Sequence, residues 1–144
     1  MKLSKQDVEK LMQDSSLAVR QEILFKIADQ YNTLEEGSLS DAETKIVEDI
    51  FRALARSAEV DIRRTLADGV KNSTNLPKDI ALKMANDIES VSSPILQHSP
   101  VLNDSDLMDI MNSSKDAGRA LAIARRDNLS ETLTTALIDK KMMW

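Results

Sequence analysis

Leu39-Ser40-Asp41-Ala42-Glu43 reads as a helix start: a leucine placed to staple the entering chain, a serine able to cap, and acids in the first turn. The same frame of leucine and helix-starting residue recurs at Leu3-Ser4, Leu76-Pro77, Leu102-Asn103 and Leu129-Ser130. Successive leucines of the frame stand 36, 37, 26 and 27 residues apart. Self-similarity at about 20–50 residues marks stacked units, each of which buries its apolar face only against its neighbours. The spacing therefore predicts a stack of helical repeats.

The capping residues have a physical task, because the first amides of a helix lack partners within it. Ser4…Asp7, Ser40…Glu43 and Asn103…Asp106 share the cap-to-acid spacing, and only Ser40…Glu43 has the residue types of a full capping box. Pro77 lacks an amide and loses nothing near a first turn. A second frame, Arg-x-x-Leu/Ile/Ala, falls between the starts at Arg20-Gln21-Glu22-Ile23, Arg63-Arg64-Thr65-Leu66 and Arg119-Ala120-Leu121-Ala122. Each unit is thus expected to hold two helices.

Apolar spacing agrees with this division. One stripe runs Val19, Ile23, Leu24, Ile27 and Ala28, and a second runs Ile46, Ile50, Phe51 and Leu54. Leu66 and Val70 follow, then Ile80, Met84 and Ile88, then Leu107, Ile110 and Met111. Leu121 with Ala124, and finally Leu133, Leu137 and Ile138, close the series. Residues 31–38 read as a loop, and Pro94 and Pro100 restrict the helix between them to about Pro94–Gln97. The expectation is an all-α, right-handed superhelical stack of about eight or nine helices in four pairs, the last incomplete, forming one domain over 1–144.

Composition narrows the function classes. Net charge is −5, yet residues 113–144 carry six basic and four acidic side chains, so the acid excess lies entirely in the first three quarters. An acidic surface repels phosphate backbones, which counts against nucleic acid, whereas the basic end suits an anionic patch. The absence of Cys removes disulfides, thiol nucleophiles and Cys-ligated zinc, and suits a reducing compartment. The first residues contain no apolar leader core, and no run approaches the roughly 18 apolar residues of a membrane span. A cytoplasmic protein without membrane partner is the expectation.

Asp14…Arg20, with Val19 before the arginine, resembles the inner turn of a HEAT repeat. The stretch Ser99-Pro100-Val101-Leu102-Asn103-Asp104-Ser105-Asp106-Leu107, together with Ala122-Ile123-Ala124-Arg125-Arg126 and Asn128-Leu129-Ser130, is more particular. It resembles an uncharacterised bacterial domain-of-unknown-function family built of HEAT-like or leucine-rich-variant helical repeats, most densely from about Ile62 to Ile138. That resemblance implies a fold and no activity, and it implies relatives with further repeats, so this chain is expected to be a fragment or a shortened relative. Where the repeat would place Asp, Ser57 and Ser113 stand instead, which interrupts an Asp–Arg ladder.

Arg20, Arg63 and Arg119 have a structural reading, as donors to carbonyls or caps of an adjacent unit, and a ligand-binding one. Arg125-Arg126 with Arg119 is the foremost binding cluster, since 119 and 126 share a helix face and could hold a carboxylate or phosphate. The bland reading is a solvated helix end offsetting the dipole. Arg63, Arg64, Arg119, Arg125 and Arg126 are accordingly the candidate binding residues. His98 is the single histidine and forms no metal set; the acids at Asp104, Asp106 and Asp109 lack the glycine and distal glutamate of a calcium loop. No phosphate-cradling glycine loop or nucleophile elbow is present, so no metal, cofactor or catalytic residue is assigned.

Leu137, Met142, Met143 and Trp144 either close the last helix pair or form an exposed edge that self-associates into a homodimer. The sequence thus points to a non-catalytic protein–protein interaction scaffold that binds a partner helix or acidic segment on its repeat surface. The alternatives are nucleic-acid binding by such a surface, or a lyase-like modifying enzyme on the same scaffold.

Overall fold

The computed structural model describes residues 16–33, 39–113 and 117–142, and among these the chain forms eight α-helices and no strand. Contacts divide it into two compact units, one up to Val70 and one from Lys71 onward.

The first unit contains α1 (Leu17–Asn32), α2 (Asp41–Leu54) and α3 (Val60–Val70). The first two are capped by serine. Ser16 Oγ accepts the Val19 amide at 3.3 Å, while Ser40 and Glu43 exchange two bonds, each 3.2 Å, in a complete capping box. Ile23, Leu24, Ile27, Ala28 and Tyr31 bury one face of α1, chiefly against α3. Close approach is possible there because Gly69 has no side chain: a Cβ at that position would lie 2.9 Å from the Ala28 methyl. Gln21 Nε2 donates to Thr65 Oγ1 at 2.9 Å, and Asn32 Nδ2 to the Gly69 carbonyl at 2.9 Å, so the same seam is also tied by polar contacts. Tyr31 packs edge-on against Phe51, with ring centroids 5.2 Å apart, and donates its hydroxyl to Glu48 Oε2 at 2.6 Å. Burial first, and then that bond to a carboxylate, push the Tyr31 phenol well above its ordinary pKa.

The second unit contains α4 (Lys78–Ala85), α5 (Glu89–His98), α6 (Asp104–Ser113), α7 (Gly118–Ala124) and α8 (Glu131–Met142). Helix α5 packs on α4 and most broadly on α7, and α6 packs on both α7 and α8. Contacts therefore join α4 to α5, α6 to α7 and α7 to α8, and the next-but-one pairs α5 with α7 and α6 with α8. A further tie joins α4 to α6 through Lys78 Nζ and Asp106 Oδ2, 3.0 Å apart. Burial works to raise the Asp106 pKa, but the Asn103 amide and Lys78 outweigh it and hold the carboxyl below its ordinary value. Leu76 and Leu102 are buried as helix-entry staples, and Ser130 caps α8 through the Leu133 amide at 3.1 Å.

Several expectations need correction. Tyr31 and Asn32 belong to the end of α1 rather than to a loop. Helix α5 runs from Glu89 to His98 with Pro94 inside it. Proline denies the Ser90 carbonyl a donor, but Ser90 is exposed, so that carbonyl is not buried without a partner, while Val91, Ile95 and Leu96 bury the opposite face. Asn103 and Asp106 form a second reciprocal cap, with bonds of 2.9 and 3.0 Å, because aspartate reaches back at this start as glutamate does at Ser40. Val19, Ile46 and Ile88 stand at 38%, 54% and 51% exposure instead of in the core; Val47 takes the inward place on α2. The frame at Leu3-Ser4, the spacing Ser4…Asp7, Asp14, and the side chains of Met142, Met143 and Trp144 lie outside the described residues.

Candidate docking site on the last helix pair

Helix α7 has seven residues, Gly118-Arg119-Ala120-Leu121-Ala122-Ile123-Ala124, and is apolar around nearly its whole circumference. Ala120, Ala122 and Ile123 are buried. Leu121, on the other side, is 55% exposed, and Ala124 is exposed with it. Helix α8 behaves alike: Leu133 is buried, Leu137 half-buried, and Ile138 is 57% exposed. Between them lies an open groove of about 480 Å³. Ala117, Ala120 and Ala124 contribute its small side chains; Leu121, Leu137 and Ile138 contribute the large ones. Leu121, Ala124, Leu137 and Ile138 are thus corrected from core stripe to groove wall; no helix among the described residues covers them.

Short as it is, α7 is held at both ends by guanidinium groups. Arg119 donates through Nη2 to the Asn86 carbonyl at 2.9 Å and the Asp87 carbonyl at 3.4 Å, just beyond α4. Arg126 donates through Nη1 to the Leu96 carbonyl and through Nη2 to the Ser99 carbonyl, each at 2.6 Å. The Leu96 carbonyl needs this donor, because the residue four places on is Pro100, which has no amide hydrogen. Burial pulls the Arg126 guanidinium below its ordinary pKa, with the Asp104 carboxylate working against that shift. The group stays protonated throughout the physiological range.

Two of the five candidate binding arginines therefore serve as ties between elements. A third, Arg63, donates to the Ser57 carbonyl at 2.8 Å within the α2–α3 turn. Arg64 is paired with Asp61 at 2.5 Å on the exposed face of α3. Arg125, at the end of α7, is exposed, and its side chain forms no hydrogen bond or ion pair among the described residues. Arg119, Arg125 and Arg126 lie on or just beyond one short helix, whereas Arg63 and Arg64 belong to the other unit.

Three arginines of the first unit are held in ion pairs. Arg20, Arg52 and Arg64 meet Glu59, Asp49 and Asp61 in ion pairs of 2.6, 3.0 and 2.5 Å. Arg119, Arg125 and Arg126 have no such pair among the described residues. A guanidinium bonded to neutral carbonyls keeps its charge; Asp104 acts on Arg126, and Arg125 stands exposed at the end of α7.

Other chemistries find less support in the described residues. No cluster of three or more His, Asp or Glu side chains is placed to hold a metal ion. His98 lies exposed at the end of α5. No described helix is long and apolar enough to cross a membrane.

The fold and this surface define an all-helical chain with an open apolar groove on its last helix pair. Residues 91–142, which span most of α5 and all of α6, α7 and α8, match the model of a family described as an uncharacterised protein conserved in bacteria (DUF2336). No curated protein and no solved structure matches the chain. The groove was not read from the sequence, although a signal existed: a helix apolar on every side needs cover on every side.

Proposed function

We propose that the protein is a non-catalytic protein-interaction module, a right-handed α-solenoid of HEAT-like helix pairs that binds a partner helix or acidic segment. Helix-to-next-but-one packing supports the repeat architecture, since α5 meets α7 and α6 meets α8 as stacked pairs do. The observation that carries the binding reading is the exposed Arg125 side chain at the end of α7, next to Ala124 of the exposed apolar groove. Apolar area supplies affinity and unneutralised charge supplies orientation and partner choice. A reducing, cytoplasmic setting fits the cysteine-free composition.

Affinity capture from a native extract tests this reading, with wild type compared against Arg125→Glu. Arg119 and Arg126 are unsuitable for reversal because they hold α4 and α5. A protein retained by wild type, released as salt shortens the screening length, and lost by Arg125→Glu is the expected result. Retention indifferent to both salt and charge reversal would refute it. Nucleic-acid binding, the alternative use of the same charges, must work against the net charge of −5. It predicts a gel shift with mixed DNA or RNA at low salt. An enzyme on this scaffold would need a carboxylate raised in pKa within a pocket; Asp106 is shifted the other way.

A further inference from the structure

The protein-binding reading leaves open which surface receives the partner and what that partner must look like. We propose that the α7–α8 groove takes one amphipathic helix from an acidic partner, with apolar anchors one turn apart in the groove and a carboxylate beside Arg125. This inference rests on the proposed function and specifies its site.

Shape comes first. The groove is walled by Leu121, Leu137 and Ile138 and lined between them by alanines, a profile that admits bulky side chains and the close approach of a helix. Its volume of about 480 Å³ is that of a site for a few anchoring side chains. Area then separates one helix from a second copy of the chain. A fully exposed Leu or Ile offers roughly 100 Å² of apolar surface, so Leu121 and Ile138 together offer about that much. A stable dimer needs about 800 Å² from each partner, several times more than this groove presents. A helix seated by its i, i+3, i+4 and i+7 side chains needs only the groove and its rim.

Charge gives the partner its sign. From residue 117 to 142 the chain has five basic and three acidic side chains, against an overall charge of −5. Arg125 is exposed at the end of α7, next to the groove-lining Ala124 and one turn beyond Leu121. An acid one turn beyond the last apolar anchor of the docked helix would reach it. Asp127, Glu131 and Asp139 are exposed acids of the same stretch, which keeps a net charge of +2 over residues 117–142.

The experiment is selection of the intact chain against a displayed library of helical peptides about four turns long. Selected peptides are then measured against wild type, Ala124→Trp, Leu121→Glu and Arg125→Glu, each checked by far-UV circular dichroism. Ala124 and Leu121 are exposed, so these variants keep the fold. The expected consensus has apolar residues at helical spacing and an acid at one end. Affinity should fall about tenfold or more in Ala124→Trp and Leu121→Glu, the first by filling the groove and the second by placing a carboxylate among apolar anchors. For Arg125→Glu the fall should be about fivefold and should vanish at high salt.

Selection without consensus, or peptides that bind Ala124→Trp as wild type, would overturn the groove as the site. The capture experiment would then still decide the protein-binding reading by itself. Concentration-dependent dimerisation of the peptide-free chain, abolished by Leu121→Glu, would assign the groove to a second copy and also overturn the proposal.

Discussion

Replacing Arg126 by alanine is the sharpest test of how the second unit is held together. The substitution removes two bonds of 2.6 Å, to the carbonyls of Leu96 and Ser99, both residues fully buried. Hydrogen bonds to charged groups contribute about 1.5–3 kcal/mol each, and orphaned buried carbonyls add a desolvation cost. Partial exposure of the guanidinium lowers the sum, which leaves an expected loss of about 2–4 kcal/mol. Chains of this size have urea slopes of about 1–3 kcal/mol/M, so the midpoint should fall by about 1–2 M. Urea titration followed at the helical circular dichroism band measures it, and hydrogen exchange should place the loss at the ends of α5 and α7. Arg126→Lys should recover about half, since an ammonium cannot serve both carbonyls with the planar fork. Arg125→Ala, one residue away and exposed, should change stability by less than about 0.5 kcal/mol. Equal midpoints for the alanine variants at 125 and 126 would refute the tie.

Tyr31 is the only tyrosine of the chain, so its ionisation can be followed directly by ultraviolet absorbance. A phenol whose folded pKa is raised stabilises the fold below its unfolded pKa and loses that contribution as pH rises above it. The native chain should therefore show no phenolate near pH 10, and stability should decline above about pH 10. Tyr31→Phe should remove that decline, and a native titration near the ordinary value would contradict the burial argument. Two neighbours on α7 should behave oppositely: Ile123→Ala should cost about 2–4 kcal/mol and Leu121→Ala less than about 1 kcal/mol, as read by thermal unfolding. Comparable losses at both would place the wrong stripe inward. Gly69→Ala sets a helix-propensity gain of about 1 kcal/mol against overpacking of about 1–3 kcal/mol at the Ala28 methyl. The expected outcome is a net loss in urea, and a more stable variant would mean that α1 and α3 separate easily.

How much of this was legible in the chain itself follows from the range of the forces involved. Helix starts are local. Ser40, Asn103 and Ser130 cap within three residues of themselves, so composition and spacing suffice to find them. The shortage of glycine, proline and aromatics, with apolar residues at helical spacing, likewise determined an all-helical chain. The repeated arginines could be recognised as donors, because a fork placed alike in successive units has a structural task. The carbonyls they would reach were not legible. Arg119 finds Asn86 and Asp87 through turns whose geometry no local rule supplies. Arg126, read from the sequence as a binding residue or a solvated helix end, instead ties Leu96 and Ser99 some thirty residues earlier.

Periodicity also has a limit at the groove. On α7 the pattern contains two apolar stripes, Ala120 with Ile123 and Leu121 with Ala124, and spacing treats them alike. Which one is covered depends on where α5 and α6 lie, and those contacts are long in sequence. The sequence by itself determined that both stripes are apolar and that basic residues cluster near them. Only the tertiary structure decided that α5 and α6 cover the first stripe while the second, with Ile138, remains open near the exposed Arg125. The physical reason is that apolar burial is non-directional: it rewards any cover, and packing partners choose the face.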